Sequence, residues 1–247
     1  MRNKNSTKGF ILKKNFYKDT SVFLEIFSFD FWKRSFFIKN FKKSKKINSA
    51  FLSIWSEIEF DFSEKNSVAN ISEIKYLDWF ENLDEENLIF LAYFLQLVSK
   101  MLQDGEKNNQ IYIFLKKFFY VLKNFPEKKN ILKIFFEINF LTILWFLWDL
   151  NLYWDSQDKI SLSWKNFFDK EKICFTSENN LENFYIDDST VKFLFFLQKN
   201  KVENILNINL KKPEEKKIFT LFNTFLIENW CEKLIKIFWQ NKIFSNY

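Results

Sequence analysis

Hydrophobic and polar positions change their period once along the chain, near residue 78. Before that point, apolar residues come in short runs or alternate with polar ones. Residues 9–12 form a brief apolar run, residues 20–27 (TSVFLEIF) are rich in β-branched and aromatic side chains behind a polar pair, and residues 35–38 make a third run. The clearest signal is 57–63 (EIEFDFS), where Ile58, Phe60 and Phe62 alternate with Glu57, Glu59, Asp61 and Ser63, the period of a half-buried strand. Residues 52–54 (LSI) extend this fourth strand backwards, and residues 67–76 supply a fifth. Five short strands with almost no helical signal between them predict a small barrel, and five is the strand number of an OB-fold.

After residue 78 the period is helical. Leu88, Leu91, Ala92, Leu95 and Leu102 recur behind the acidic turn Asp84-Glu85-Glu86, which suits a helix N-terminus. Ile111, Leu115, Phe118, Phe119 and Leu122 form a second stripe, closed by Pro126. Residues 131–147 predict a third helix, apolar nearly all round and so central in a bundle. Residues 156–190 keep no period and read as a loop-rich excursion with a possible hairpin. Residues 191–198 and 214–238 are further helical stretches, the latter behind Pro213. The expected fold class is α+β: an OB-like barrel over 1–80, then a mostly helical domain over 81–247.

Composition narrows the chemistry. The 247 residues include 35 Phe and 9 Trp but 2 Gly, 2 Pro and no His. Without histidine the chain lacks the commonest general base and metal ligand, so Ser-His and Cys-His nucleophile systems are excluded. Two glycines cannot make a glycine-rich phosphate cradle, so nucleotide hydrolysis is not expected. Cys174 and Cys231 stand apart from each other, which argues for structural thiols in a reducing compartment rather than a zinc site or a disulfide. The N-terminus is charged throughout and resembles no secretory signal. Residues 131–153 are the most apolar stretch, but Lys133, Glu137, Asn139, Asp149 and Asn151 interrupt it, favouring a buried core helix over a membrane span.

Charge is uneven. Residues 1–50 carry 13 Lys and Arg against 3 Asp and Glu, whereas residues 51–247 carry 24 against 28. A local cluster of this kind suits a polyanion-binding face, since phosphate neutralisation works by gathering Lys and Arg. Its centre is Lys33, Arg34, Lys39, Lys42, Lys43, Lys45 and Lys46, seven cations within 14 residues, interleaved with Phe36, Phe37 and Phe41. Single-strand binders combine such cations with rings that stack on bases. A solvated basic loop beside core phenylalanines fits the same residues, and the OB-like strand count brings the two readings level.

The run KGFILKKNFYKDTSVFLEIFSFDFWKRSFFIKNFKKSKK resembles the opening of the RecO family of bacterial recombination mediators. That opening has a strand ending in a basic residue, a Tyr-x-Glu/Asp-Thr/Ser-Ser turn, an apolar strand, a Gly-Arg-x-Ser strand and a Lys-Gly-Ala-Arg-x-x-Lys-Ser loop. Here Tyr17, Asp19, Thr20 and Ser21 fit the turn, Lys33 takes the Arg position, Ser35 is kept, Lys39, Lys42 and Lys45 fall on the loop, and Asn40 stands in place of its glycine. SAFLSIWSEIEFDF is similar to the family's next strand. LAYFLQLVSKML, IYIFLKKFFYVL and FFEINFLTILW are similar to its successive helices, and FLIENWCEKLIKIFW more weakly to its last ones.

The resemblance implies a non-enzymatic DNA-repair protein of the bacterial cytoplasm and nucleoid, without cofactor and off the membrane. It would bind single- and double-stranded DNA, anneal strands coated by single-stranded DNA-binding protein, dock that protein's C-terminal tail in the helical domain, and with RecR promote RecA loading. The DNA-binding residues would be Lys33, Arg34, Lys39, Lys42, Lys43, Lys45 and Lys46, with Lys13 and Lys14 secondary. Some members carry four zinc-binding cysteines; only Cys174 lies in that region here, implying a zinc-free form. Gln96 replaces the Glu usual in the first bundle helix, and Trp32, Trp145 and Trp230 fall where the family tends to have Gly. With so many Trp and so few Gly, UGA codons meaning glycine would explain those three positions. A ribosomal or organellar RNA-binding protein is the rival reading, and a lipid-surface helical protein a further one.

Overall fold

A computed structural model of the chain describes residues 5–18, 20–41, 47, 52–54, 56–65, 68–78, 83–105, 108–161, 165–169, 172, 174–179, 184–208 and 218. The chain divides into two compact units, Met1–Lys116 and Lys117–Tyr247.

In the first unit, β1 (Asn5–Tyr17), β2 (Ser21–Ser28), β3 (Trp32–Ile38), β4 (Glu57–Lys65) and β5 (Val68–Asp78) close a barrel in the order β1-β2-β3-β5-β4. All pairs are antiparallel except β3 with β5, which meet in parallel at Phe37 and Asn70. This is the five-stranded OB architecture that the strand count predicts. Ile11, Val22, Leu24, Ile26, Phe36, Ile38, Ile58, Phe60 and Phe62 fill its interior, alternating with outward positions as a pleated strand requires.

β1 is much longer than the predicted 9–12. Its first half pairs with β4 from Asn5 to Phe10 and with β2 from Gly9 onward, so the apolar run marks only the middle, where both neighbours are present. Residues 52–54 are not strand. Ser56 donates to the Ser53 carbonyl in a turn, and Leu52 is apolar because it plugs the barrel core. Glu57 departs from the expected solvated face: it is 4% exposed and accepts hydrogen bonds at one carboxylate oxygen from Tyr112 Oη (2.7 Å) and Lys116 Nζ (3.0 Å). Burial, then the Glu57 charge, hold the Tyr112 phenol well above its ordinary value.

The helix α1 (Glu85–Met101) begins where the acidic turn predicts, with the Asp84 carboxylate accepting from the Asn87 amide at 2.8 Å. The second helix, α2 (Asn109–Asn124), stops before Pro126, whose short 3-10 turn leads into α3 (Lys129–Ile143). Every residue of α3 from Ile131 to Ile138 is buried, including the i,i+4 pair Lys133 and Glu137, 2.9 Å apart. The predicted helix ran on to Leu147. It ends early in a Schellman closure: the Trp145 amide donates to the Thr142 carbonyl and the Phe146 amide to the Leu141 carbonyl. Residues 156–190 hold more than a hairpin: β6 (Asn166–Asp169), β7 (Cys174–Thr176) and β8 (Phe184–Ile186) form an antiparallel sheet in the order β7-β6-β8. Cys174 is buried there, and burial, reinforced by Asp169, pushes its thiol up to about 12. The Asp187 carboxylate caps α4 (Asp188–Lys199) by accepting from the Thr190 amide. Gln198 ties α4 to the chain after α3, donating to Thr142 Oγ1 and the Trp148 carbonyl and accepting from the Leu150 amide. The predicted helix over 214–238, with Cys231 and Trp230, lies outside the described residues except for Ile218, which is buried. Among the described residues no helix is long and apolar enough to cross a membrane.

Trp32, Asn40 and Trp145 all have left-handed backbones, with φ of +54°, +52° and +63°. These are the described positions where the resemblance places glycine. A left-handed conformation costs an L-residue about 1–2 kcal/mol, and Asn is among the few side chains that tolerate it; Trp is not. Trp145 is 93% exposed, so its ring offers no burial in return. Trp145→Gly should therefore raise stability by about 0.5–1 kcal/mol, measured by chemical denaturation. Peptides from the native source should read Gly at 32 and 145 if UGA encodes glycine there; Trp at both would end that explanation.

Gly9 is constrained by space rather than by torsion. A Cβ there would lie 2.5 Å from Ile26 Cγ2 and 2.9 Å from the Phe27 carbonyl oxygen. Gly9→Ala should cost about 1–3 kcal/mol by overpacking, seen as a lower melting temperature.

Candidate nucleic-acid interface

The cations singled out in the sequence separate into two groups on the barrel. One group is engaged internally. Lys33 points outward from β3, yet it is 9% exposed, because its ammonium donates to the Ser99 carbonyl at 3.0 Å and pairs with Asp104 Oδ1 at 3.1 Å. Ser99 lies in the last turn of α1, so Lys33 satisfies one of the carbonyls that a helix C-terminus leaves without an internal partner. The Gly105 amide returns the contact by donating to the Lys33 carbonyl. Arg34 pairs with Glu64 Oε1 at 2.6 Å and lies 5.9 Å from the Phe36 ring centroid. Lys13 pairs with Glu25 at 3.3 Å, and Glu25 also accepts from Ser99 Oγ. Between β3 and the α1–α2 connection lies a pocket of about 500 Å3 lined by Phe31, Trp32, Lys33, Arg34, Ser35, Asp104 and Gly105.

The second group gathers at the barrel end where β1 turns into β2. Lys14 Nζ sits 5.1 Å from the Phe16 ring centroid, and burial holds its ammonium below the ordinary lysine value. Lys18, in the turn itself and not among the cations singled out in the sequence, joins them, 5.4 Å from the Tyr17 ring centroid. Lys39 is exposed just past the end of β3. Among the described residues, none of these three forms a salt bridge. Lys42, Lys43, Lys45 and Lys46 lie outside the described residues. The residues bracketing that run, Phe41 and Ile47, are both buried in the barrel core, and the Phe41 amide donates to the Thr20 carbonyl of the β1–β2 turn at 2.7 Å.

The aromatic part of the expectation needs correction. Phe36 and Phe41 are core residues, Phe36 because its strand position shares the inward face with Leu24 and Ile38, Phe41 because it folds over the barrel mouth. Phe37, on the outward face, is left partly exposed. Sequence reasoning missed Phe16, Tyr17 and Phe23, all exposed at the same end. Tyr17 and Phe23 carry the outward phase of β1 and β2, hidden because an aromatic in a strand reads first as core, whereas Phe16, opposite Val22, lies on the other face, against Phe41. Among the described residues no group of His, Cys, Asp and Glu is arranged to hold a metal ion.

Comparison with known proteins gives a consistent picture. The family described as Recombination protein O N terminal matches residues 1–80, and that described as Recombination protein O C terminal matches residues 82–230. The chain is similar to the DNA repair protein RecO of Caldicellulosiruptor bescii, 26% identical over 236 residues that cover 94% of this chain and 95% of the relative. It is also similar to the DNA repair protein RecO of Clostridium novyi, 23% identical over 232 residues, 92% of this chain and 90% of the relative.

Lys33→Met removes the cation that caps α1 from the barrel. It should lower stability by about 1–3 kcal/mol, because the Ser99 carbonyl and Asp104 lose their partner. Denaturant titration checks this, and an unchanged midpoint would mean the ammonium is not holding the helix.

Proposed function

The chain belongs to the recombination protein O family, and from that premise we propose that it is a DNA-binding recombination mediator that does its work without bond chemistry. A DNA repair and recombination role goes with the family. The finer reading is that the chain binds single- and double-stranded DNA, anneals strands coated by single-stranded DNA-binding protein, and with RecR promotes RecA loading at the nucleoid. The proposed division of labour gives DNA to residues 1–80 and the protein partners, including the acidic tail of single-stranded DNA-binding protein, to residues 81–247.

The observation that carries the reading is the gathering of Lys14, Lys18 and Lys39 at one end of the barrel, next to Phe41, from which the sequence runs directly into Lys42, Lys43, Lys45 and Lys46. Annealing needs two strands held together with their phosphate repulsion screened, and a basic surface supplies that without a nucleophile or general base. A chain with no histidine is suited to such work. In this proposal Lys39, Lys42, Lys43, Lys45 and Lys46 are the main phosphate contacts, Lys13, Lys14 and Arg34 flank them, and Lys33 acts by fixing α1.

The test is annealing of complementary oligonucleotides, each saturated with single-stranded DNA-binding protein, across a range of salt. Acceleration that fades as salt rises is expected. Replacing Lys42, Lys43, Lys45 and Lys46 by Ala should weaken binding to all DNA sequences alike and reduce the slope of log affinity against log salt by about three to four units. No acceleration, with structured RNA bound in preference to DNA, would overturn the reading in favour of an RNA-binding structural protein.

A further inference from the structure

Three aromatic rings lie side by side across β1, β2 and β3 at the basic end of the barrel. Strand register sets Asn15 opposite Phe23 and Phe23 opposite Phe37, so Tyr17, Phe23 and Phe37 share the outward face, opposite to core residues Val22, Leu24, Phe36 and Ile38. Phe23 and Phe37 have ring centroids 4.7 Å apart, and Tyr17 meets both edge-on, at 5.6 Å and 6.2 Å with interplanar angles of 78° and 75°. Tyr17 is 47% exposed and Phe23 37%. Phe16 precedes Tyr17 and pairs with core residue Val22, so it lies on the other face of the sheet, 65% exposed and tilted against Phe41 at 5.9 Å. Lysines border the three outward rings: Lys18 at Tyr17, and Lys39 two residues beyond Phe37.

A cross-strand aromatic pair steadies a sheet, which accounts for Phe23 against Phe37. It does not account for Tyr17, which leaves much of its ring surface in water beside Lys18. Exposed rings interleaved with lysines have a specific chemical complement. Unpaired nucleobases present flat π-faces at short intervals, joined by phosphates, whereas a duplex hides those faces in its own stack.

We propose that Tyr17, Phe23 and Phe37 form a stacking platform for unpaired nucleobases, and that Lys18 and Lys39 take the phosphates between those bases. The inference rests on the DNA-binding reading and adds the means of telling single strands from duplex. Phosphate contacts cannot make that distinction, because both forms carry the same charge groups.

The test measures, by fluorescence anisotropy, the affinity of the full chain for three probes of equal length: oligothymidylate, the same backbone without bases, and a duplex. Oligothymidylate should bind tighter than the abasic strand by roughly tenfold for each stacked base. The double variant Tyr17→Leu, Phe23→Leu keeps apolar bulk but removes two π-faces; it should erase that ratio and leave abasic and duplex affinities unchanged, with thermal melting confirming its fold. Lys18→Gln should weaken oligothymidylate and the abasic strand together. Equal wild-type affinity for oligothymidylate and the abasic strand, with duplex still bound, would sink the platform and leave the DNA reading standing. Binding of none of the three would sink both. If a second copy of the chain occupies this face instead, sedimentation will show a dimer that the leucine variant dissolves while the base-dependent ratio stays unchanged, and that too overturns the proposal.

Discussion

Closure of the barrel on β1 is the constraint from which the rest of the first unit follows. Gly9 pairs with Ser28 of β2 on one side and Ile58 of β4 on the other, and Phe10 likewise faces both Phe27 and Glu57. At that crossing the neighbouring strand lies so near that a single methyl group would collide with Ile26 and the Phe27 carbonyl. A strand bonded on both edges leaves no open ladder, which removes the aggregation hazard of an edge. It also aligns the strand ends. Beyond Phe10, β1 pairs with β2 and no longer with β4, and a register shift between Ile11 and Lys13 turns the strand before it delivers Lys14, Phe16 and Tyr17 to the barrel end.

Within the same unit, polar clamps attach helices to the outside of that barrel. Glu57 leaves β4 at its first residue and is buried because Tyr112 and Lys116 close over it; the carboxylate is tolerated in a dry place only because two donors converge on one of its oxygens. Lys33 and Glu25 do the corresponding work for α1, one donating to the Ser99 carbonyl and the other accepting from its hydroxyl. Lys13 of β1 and Lys33 and Arg34 of β3 are matched to carboxylates. Lys14, Lys18 and Lys39 meet no acid among the described residues.

What the sequence made legible follows from how strong each local rule is. The alternation of Ile58, Phe60 and Phe62 located β4, and the acidic turn at Asp84 located the start of α1, because period and capping are local properties of a few residues. The end of α3 was not legible. Its Schellman closure is ordinarily announced by a glycine, and Trp145 in that role carries the opposite message. Leu52 misled for a different reason: an apolar residue that plugs a barrel and one that lies in a strand look alike until the Ser53–Ser56 turn is seen. The basic cluster was legible as a set of charges but not as a site, since whether Lys33 meets solvent or Ser99 depends on a helix more than sixty residues away.

The division between consumed and unpaired cations bears on what the barrel end can do. A lysine locked to a carboxylate must break that pair before it can take a phosphate, so its net gain is small, whereas an exposed lysine without a partner gives up only water and counterions. The same reasoning extends to the rings. Phe36 and Phe60 already pack face to edge at 4.9 Å inside the barrel and have no surface to offer, while Phe16 and Tyr17 stand in water next to ammonium groups. Lysines that meet no acid among the described residues and partly exposed aromatic rings therefore coincide at one end of one barrel. Each costs solvation or exposure on its own, and the proposed ligand, a polyanion with flat, unstacked rings, uses both at once.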